Sequence, residues 1–491
     1  VAATCPLLHV TPHFVTVRSP HSFCYDLAGN GDAGGGLKAI FVHLSDIHFG
    51  QEKNGGDVAV NNDAKRRLID DARAEVAKLE AKASGVIVTG DIAYSGKERE
   101  YRTAAEWLAE LTDAIGCERV NVQMVPGNHD IDRDKISVPT DCVLASIREK
   151  GDAILDPLLD TADGCEFLYS RFEAYRDFAL DYECELDLNG QMSSGGRLEL
   201  AKGRSIKFVR LNSALICSRR DDEGRLILGK RQQVLPEEEG EEIIVLMHHP
   251  LNWFQDSDRA RSYLRNRARV LISGHEHFPK LQIDSVEADR DLLLLAAGAT
   301  NPEKVVEDYT YKYNILIFEW DEDADALAVT INPRTWDDKL TRFKRDDVFM
   351  EGRADRQVLA SPNFRRAPRP TVVLSADRSI AEAAPEVEPV VTSPVAVPST
   401  DEVDSAEPAP AAEPTPTVDE RLLQLRFFQE LAEGERLKAL VDLEAIPRDL
   451  KGRLDHSMER RLFRMLIKQG KAQAIEVRLA SAGAKKRGGT Q

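Results

Sequence analysis

Between residues 39 and 331 the chain keeps returning to one device, a short apolar run that stops abruptly at a polar or glycine-containing turn. The runs are AIFVHL (39–44), GVIVT (85–89), VNVQMV (120–125), IKFVRL (206–211), EIIVLM (242–247), ARVLIS (268–273), LLLLAA (292–297), NILIFEW (314–320) and ALAVTI (326–331). Apolar runs of this length without polar alternation predict strands covered on both faces. Helical spacing fills two of the gaps. One helix is expected from about 62 to 82, with Asn61 or Asn62 available as its cap, and another from about 97 to 115. Strand, helix, strand in succession predicts a layered α/β domain. Residues 131–205 break the rhythm. Within them RFEAYRDFALDYE (171–183) reads as an aromatic-rich helix, part of an insertion that either overhangs the strand ends and shapes a pocket or only packs at the periphery.

The chemistry sits where the runs end. Asp46 and His48 follow the first, separated only by Ile47, and positions i and i+2 of an extended strand point the same way. Gly90-Asp91, Gly127-Asn128-His129-Asp130, His248-His249-Pro250 and Gly274-His275-Glu276-His277 follow later runs. Glycines before Asp91, Asn128 and His275 allow the sharp turns that bring backbone close to a metal cluster. Any one of these pairs alone is an ordinary strand end or turn. Together, in order and each behind a buried strand, they predict a shared metal site.

The set resembles the calcineurin-like metallophosphoesterases, whose pattern is DxH, GD, GNHD/E, H and GHxH in this order, over about residues 38 to 345. GDIAYSGKEREY (90–101) and the His-His-Pro variant look most like the branch that contains bacterial cyclic-nucleotide phosphodiesterases. The resemblance implies an α/β/β/α sandwich with a two-metal site. Asp46, His48 and His277 would hold one ion, Asn128, His248 and His275 the other, and Asp91 would bridge them. It further implies hydrolysis of small, nucleotide-like phosphodiesters or phosphomonoesters by in-line attack of a metal-bound hydroxide. His129 would contact the phosphoryl group and stabilise or protonate the leaving oxygen. The mixed carboxylate, amide and imidazole set suits Mn, Fe, Zn or Co better than Ca. The family uses the first histidine of His-His-Pro, which leaves His249 behind the ligands or in the pocket wall. Glu276 is expected to alternate away from its neighbours. Protein phosphatases of the family extend the second motif to GDxVDRG, where the later aspartate orients the catalytic histidine. This chain has Tyr94 in that place, which argues against a protein phosphatase and leaves the orienting group of His129 open, with Asp130 the nearest candidate in sequence.

Composition bounds the rest. The 491 residues carry a net charge of −18, which argues against a protein built to coat nucleic acid or anionic membrane. RARSYLRNRAR (259–269) is the one basic stretch that would serve a competing nuclease reading, and a solvated helix face is the alternative use for it. Seven scattered cysteines without a CxxC pair suit a reducing compartment, and a cytoplasmic location is expected. No run is long enough to span a membrane.

A disordered leader is expected over 1–37, the metallophosphoesterase domain over 38–347, and an extended Pro/Ala/Glu-rich linker over 348–418. Eight prolines between 381 and 418, among carboxylates, keep that stretch from building a core. Residues 419–491 reverse the charge, with 16 Lys and Arg against 11 Asp and Glu. Leu422, Leu425, Leu431, Leu437 and Leu440 at helical spacing, a break at Pro447 and another near Gly470 predict a small all-α module over 419–485. This module is expected to bind a protein partner, and residues 486–491 to form a disordered tail.

Overall fold

The computed structural model describes residues 37–51, 58–286, 290–302, 310–364, 420–446 and 456–488. The leader, except its last residue, and the linker beyond residue 364 lie outside them. In chain order the described elements are β1 (Ala39–Leu44), α1 (Val58–Ala77), β2 (Gly85–Val88), α2 (Glu98–Ile115), β3 (Val122–Met124), α3 (Val138–Lys150), α4 (Asp152–Leu159), α5 (Ala162–Tyr169) and α6 (Glu173–Asp181). They continue with β4 (Ser193–Ala201), β5 (Arg204–Arg210), β6 (Glu241–Leu246), α7 (Ser257–Arg267), β7 (Ala268–Ser273), β8 (Lys280–Val286), β9 (Arg290–Ala296), β10 (Lys312–Asp321) and β11 (Ala326–Asp337). The last are β12 (Arg342–Arg345), β13 (Arg356–Leu359), α8 (Glu420–Glu430), α9 (Glu433–Asp442), α10 (His456–Lys468) and α11 (Ala472–Gly488).

Two sheets face each other. One runs β12-β11-β10-β1-β2-β3, with β13 also paired to β11, and the other runs β4-β5-β6-β7-β9-β8. β1 and β2 pair in parallel, as do β6 and β7, so their chemistry-bearing C-terminal ends lie at the same edge of each sheet. Phe41, Ile87, Ile206, Phe208, Ile244, Ile272, Leu316 and Phe318 fill the layer between the sheets. Outside the first sheet α1, α2 and α6 bury Leu68, Tyr101, Leu108 and Phe178. Outside the second, α3 to α5 and α7 bury Leu144, Leu155, Leu168 and Leu264. The result is the expected α/β/β/α layering. β1, β6 and β7 are buried at every position, as apolar runs covered on both faces require.

Several expectations need correction. α1 begins before Asn61, whose side chain is buried and accepts the Tyr311 hydroxyl at 2.6 Å instead of capping a helix. The insertion does not simply overhang the strand ends, because α3 to α5 pack on the second sheet and α6 on the first. The α/β domain does not stop at 347. Residues 348–364 belong to the fold, with Leu359 opposite Leu327 in the β13–β11 ladder. The stretch from Leu422 to Leu440 with leucines at helical spacing is split between α8 and α9, and α11 runs past 486 to Gly488. Gly470, at φ 73°, makes the expected break between α10 and α11, whereas Pro447 lies outside the described residues.

Candidate metal centre

The site is built by turns, not by strand ends as such. β1 ends at Leu44, and Asp46 and His48 follow in left-handed backbone at φ 53° and 52°. Their side chains are brought together by that turn and not by strand alternation. The backbone N–H groups of Ile47 and His48 both donate to the Asp91 carbonyl, at 2.9 and 3.0 Å, which ties the first loop to the second. Ile47, between the two, drops into the apolar core under α1 and α2. Asp91 (φ 53°), His275 (φ 73°) and His277 (φ 56°) share the left-handed conformation. It is uncommon for residues with a Cβ, and five such residues in one cluster mark backbone held against its preference by the surrounding packing. Close approach does the rest. A Cβ on Gly127 would lie 2.1 Å from Asp91 Oδ1, so only glycine lets the third loop reach the second.

The polar atoms converge. Asp46 Oδ1 lies 3.2 Å from His277 Nε2 and 3.9 Å from His48 Nε2. Asp91 Oδ2 lies 3.9 Å from His48 Nε2 and 3.4 Å from His248 Nε2. His248 Nε2 in turn lies 3.1 Å from Asn128 Oδ1 and 3.2 Å from His275 Nδ1. The seven residues expected as ligands therefore meet, and Asp91 faces both halves of the group. Asp46-His48-His277 and Asp46-Asp91-His248 each offer ligand atoms within 4.8 Å of one another.

Two tests show that this donor set fits divalent metal. His48 Nδ1 and Nε2 are buried with no hydrogen-bond partner, a costly arrangement for groups that water or protein normally satisfies. Around His248 the lone pairs collide. Its Nδ1–H donates to the Thr89 carbonyl at 2.7 Å, which points the Nε2 lone pair at a carboxylate, an amide oxygen and a second imidazole. Burial opposes a charge on His248, yet the Asp91 carboxylate outweighs it and raises its pKa to about 9. A proton thus stands where a cation would relieve the same repulsion. Burial instead lowers His48 and His275 to about 3, keeping both neutral as ligands must be. Asp46 and Asp91 are held below the usual carboxylate range by the imidazoles around them, despite burial.

The remaining expected positions are placed as follows. His249 is buried behind the ligands, with Ser213 Oγ 3.1 Å from its Nδ1 and Cys217 Sγ 3.8 Å from its Nε2. Its Nδ1 is engaged by Ser213 and its Nε2 faces the Cys217 thiol, although His249 also offers a ligand atom within 4.8 Å of those of His248 and His275. Glu276 turns away, as expected, but on a turn after β7, and accepts from Asn252 at 3.1 Å. His129 is anchored by its backbone N–H to Asp91 Oδ1 at 2.7 Å, and its ring by Nδ1–H to the Tyr94 carbonyl at 2.8 Å. The orienting group is thus a backbone carbonyl, and Asp130 is not it.

Asp130 has another task. Its carboxylate accepts from the backbone N–H groups of Ile92, Ala93 and Gly127 and from the Tyr101 hydroxyl, at 3.2, 2.9, 2.9 and 2.9 Å. It clamps the Asp91 loop to the Asn128 loop, at a point where burial and the Asp91 charge raise its pKa to about 7. Asp130→Asn can keep an acceptor oxygen for Ile92 and Gly127 but then aims its amide at the Ala93 N–H and takes the acceptor from the Tyr101 hydroxyl. It is expected to destabilise the metal-free protein by roughly 2–4 kcal/mol. Urea denaturation of the two proteins checks this, and unchanged midpoints would refute the clamp.

Sequence reasoning passed over a supporting layer. Ser45 Oγ donates to Asp46 Oδ2 at 2.5 Å, and Ser213 Oγ accepts from the N–H groups of His248 and His249. Asn301, just past β9, donates its N–H to the Asp46 carbonyl at 3.0 Å and its Nδ2 to the Ile47 carbonyl at 3.2 Å. It sits behind a buried run like the other motifs, and that position was the available signal.

Residues 40–279 match the family model of the calcineurin-like phosphoesterases, and residues 419–479 match that of the GTPase-associated adaptor domain. An uncharacterized metallophosphoesterase-like protein of Bacillus subtilis, YydB, is 25% identical over 277 residues. That alignment covers 54% of this chain and 54% of that protein, so the chain spans about half the length of the curated relative it matches. Among solved structures, similarity extends to the NAD nucleotidase of Haemophilus influenzae (10% identity, TM-score 0.29, 64% of this chain and 54% of that one). It extends also to the purple acid phosphatase PPD1 of yellow lupin (10% identity, TM-score 0.34, 61% and 52%). The ordered motifs, their convergence and the family match agree: over residues 40–279 this chain belongs to the calcineurin-like phosphoesterases.

Proposed function

We propose that the protein is a metal-dependent phosphoesterase acting on small phosphodiesters or phosphomonoesters, nucleotide-like ones foremost. The observation that carries this reading is the convergence of Asp46, His48, Asp91, Asn128, His248, His275 and His277 with ligand atoms left unpaired. Asp46, His48 and His277 would hold one divalent ion and Asn128, His248 and His275 a second, with Asp91 shared. Mn, Fe, Zn or Co suits such donors. When bound, the pair supplies Lewis-acid activation of water and of the phosphoryl oxygens. The chain's own residues do the positioning. The Tyr94 carbonyl holds the His129 ring through Nδ1–H, leaving Nε2 to face the ester; with both ring nitrogens protonated, the Nε2 proton passes to the departing oxygen and leaves the neutral Nδ1–H imidazole. The Thr89 carbonyl fixes His248 in the same way.

The nuclease reading loses its footing in α7. Arg259 donates to Asp152 at 2.7 Å and to Asp256 at 3.2 Å, Arg261 to Asp284 at 2.9 Å, and Arg269 is buried against Glu242 at 3.2 Å. These arginines are engaged by acidic partners and do not form a track for a phosphate backbone. The helical segment, by its adaptor-family match, supports recruitment of a protein partner through residues 419–485. No described helix is long and apolar enough to cross a membrane.

The deciding experiment strips the protein with a chelator, measures bound Mn and Zn by calorimetry, and assays bis(p-nitrophenyl) phosphate, cyclic nucleotides and single-stranded DNA. Uptake of about two ions per chain with hydrolysis of the small esters supports the proposal. Failure to bind either ion overturns it. Arg261→Glu is expected to leave small-ester hydrolysis within about twofold, as for a surface change outside any binding track. Loss of DNA cleavage alone in that variant would restore the nuclease.

A further inference from the structure

The C-terminal helices rest on the catalytic domain itself. Leu425 of α8 lies in the same buried cluster as Tyr101, Phe178 and Tyr182. Arg460 of α10, 2% exposed, donates to Asp181 Oδ1 at 2.6 Å and to the Asp177 carbonyl at 2.8 Å. A guanidinium on the last turn of α6 satisfies a helix-end carbonyl and opposes the negative end of the helix dipole. The same guanidinium lies 4.3 Å over the Phe428 ring of α8, and Gln429 of α8 donates to the Tyr182 hydroxyl at 3.2 Å. Both helices therefore hold the C-terminal end of α6.

That end leads to the metal loops through contiguous packing. Tyr182 meets Phe178 edge-on at 5.2 Å, and Phe178 stacks on Tyr101 of α2 at 5.1 Å. Tyr101 donates to Asp130 Oδ1, and Asp130 binds the backbone of Ile92, Ala93 and Gly127 beside Asp91 and Asn128. We propose that the docked C-terminal helices are a positioning element of the metal site in cis. In this scheme Arg460 and Gln429 fix α6, and α6 fixes the Tyr101–Asp130 clamp that sets the spacing of the Asp91 and Asn128 loops. A partner that pulls these helices off would loosen the site, and one that seals them on would sharpen it. The proposal rests on the phosphoesterase reading only where it concerns rate, because the loop clamp exists without substrate.

The test uses the full chain, metal-free, and follows hydrogen exchange at the amides of Ile92, Ala93 and Gly127. Arg460→Ala is expected to lower their protection by about 3- to 30-fold. Tyr101→Phe should do the same, and the double variant should be no worse than the poorer single. Gln429→Ala, which removes one hydrogen bond, should act in the same direction and serves if Arg460→Ala does not fold. Arg478→Ala, which breaks an ion pair with Asp442 inside the helical segment, should leave those amides at wild-type protection. Faster exchange in residues 420–488 of the Arg460 variant, with all three loop amides at wild-type protection, would overturn the coupling. So would additive effects of the Arg460 and Tyr101 changes. With metal restored, kcat on bis(p-nitrophenyl) phosphate should fall in parallel with the loop protection. An inactive wild type would refute the phosphoesterase reading while leaving the exchange result to decide this one.

Discussion

Asp91→Asn is expected to reduce kcat for bis(p-nitrophenyl) phosphate by at least about 10³-fold without unfolding the protein. The two oxygens of this carboxylate do different work. Oδ1 accepts the His129 N–H, a bond an asparagine carbonyl reproduces, so the loop keeps its shape. Oδ2 faces His48 and His248, where the substitution removes a charge and places an amide N–H against imidazole nitrogens. Metal uptake should fall with it. The metal-free proteins give an independent readout. The His248 pKa, raised from 6.5 to about 9, contributes stability fully present below pH 6.5 and lost as pH rises through 9. Metal-free wild type should therefore lose up to about 3 kcal/mol between pH 6 and 9 from this group. In Asp91→Asn the carboxylate that sustains the shift is gone, burial governs His248, and that slope should vanish. Equal activity in the two proteins, or equal slopes, would remove Asp91 from the centre of the site.

The seven positions expected as ligands, and their convergence, were legible because each follows a run of residues that water rejects, and the order of the runs fixes which ends can meet. The central strands were legible for the same reason. β4, β8, β12 and β13 were not, since SSGGRLELA, KLQIDSV, RFKR and RQVL mix polar and apolar residues along strands at or near the sheet margins. Reading Asp46 and His48 as alternate positions on a strand reached the correct pairing by the wrong geometry, because apolar periodicity carries no information about a left-handed turn. Long-range partners were invisible altogether. Asp130 stands next to His129 in sequence yet serves Tyr101 and three backbone amides, while the His129 ring is held by a carbonyl 35 positions earlier. Arg460, only one of the 16 basic residues counted over 419–491, is buried against Asp181.

His129→Ala is the second large effect expected, and its size should depend on the leaving group. With a poor alkoxide or ribose leaving oxygen, loss of a positioned proton donor should cost about 10²- to 10⁴-fold in kcat. With p-nitrophenolate, which departs readily without a proton, the cost should shrink to about tenfold, the residue then acting only on phosphoryl charge. Nδ1–H is committed to the Tyr94 carbonyl, and the ring packs 4.8 Å from His48 and 5.1 Å from Tyr94, which leaves Nε2 as the working nitrogen. His129→Gln should recover part of the p-nitrophenyl rate by offering a neutral donor, and little of the alkyl-ester rate. Tyr94→Phe should leave both rates nearly intact, because the backbone carbonyl and not the phenol holds the histidine. A uniform loss across leaving groups, accompanied by lower metal content, would instead place His129 among the ligands.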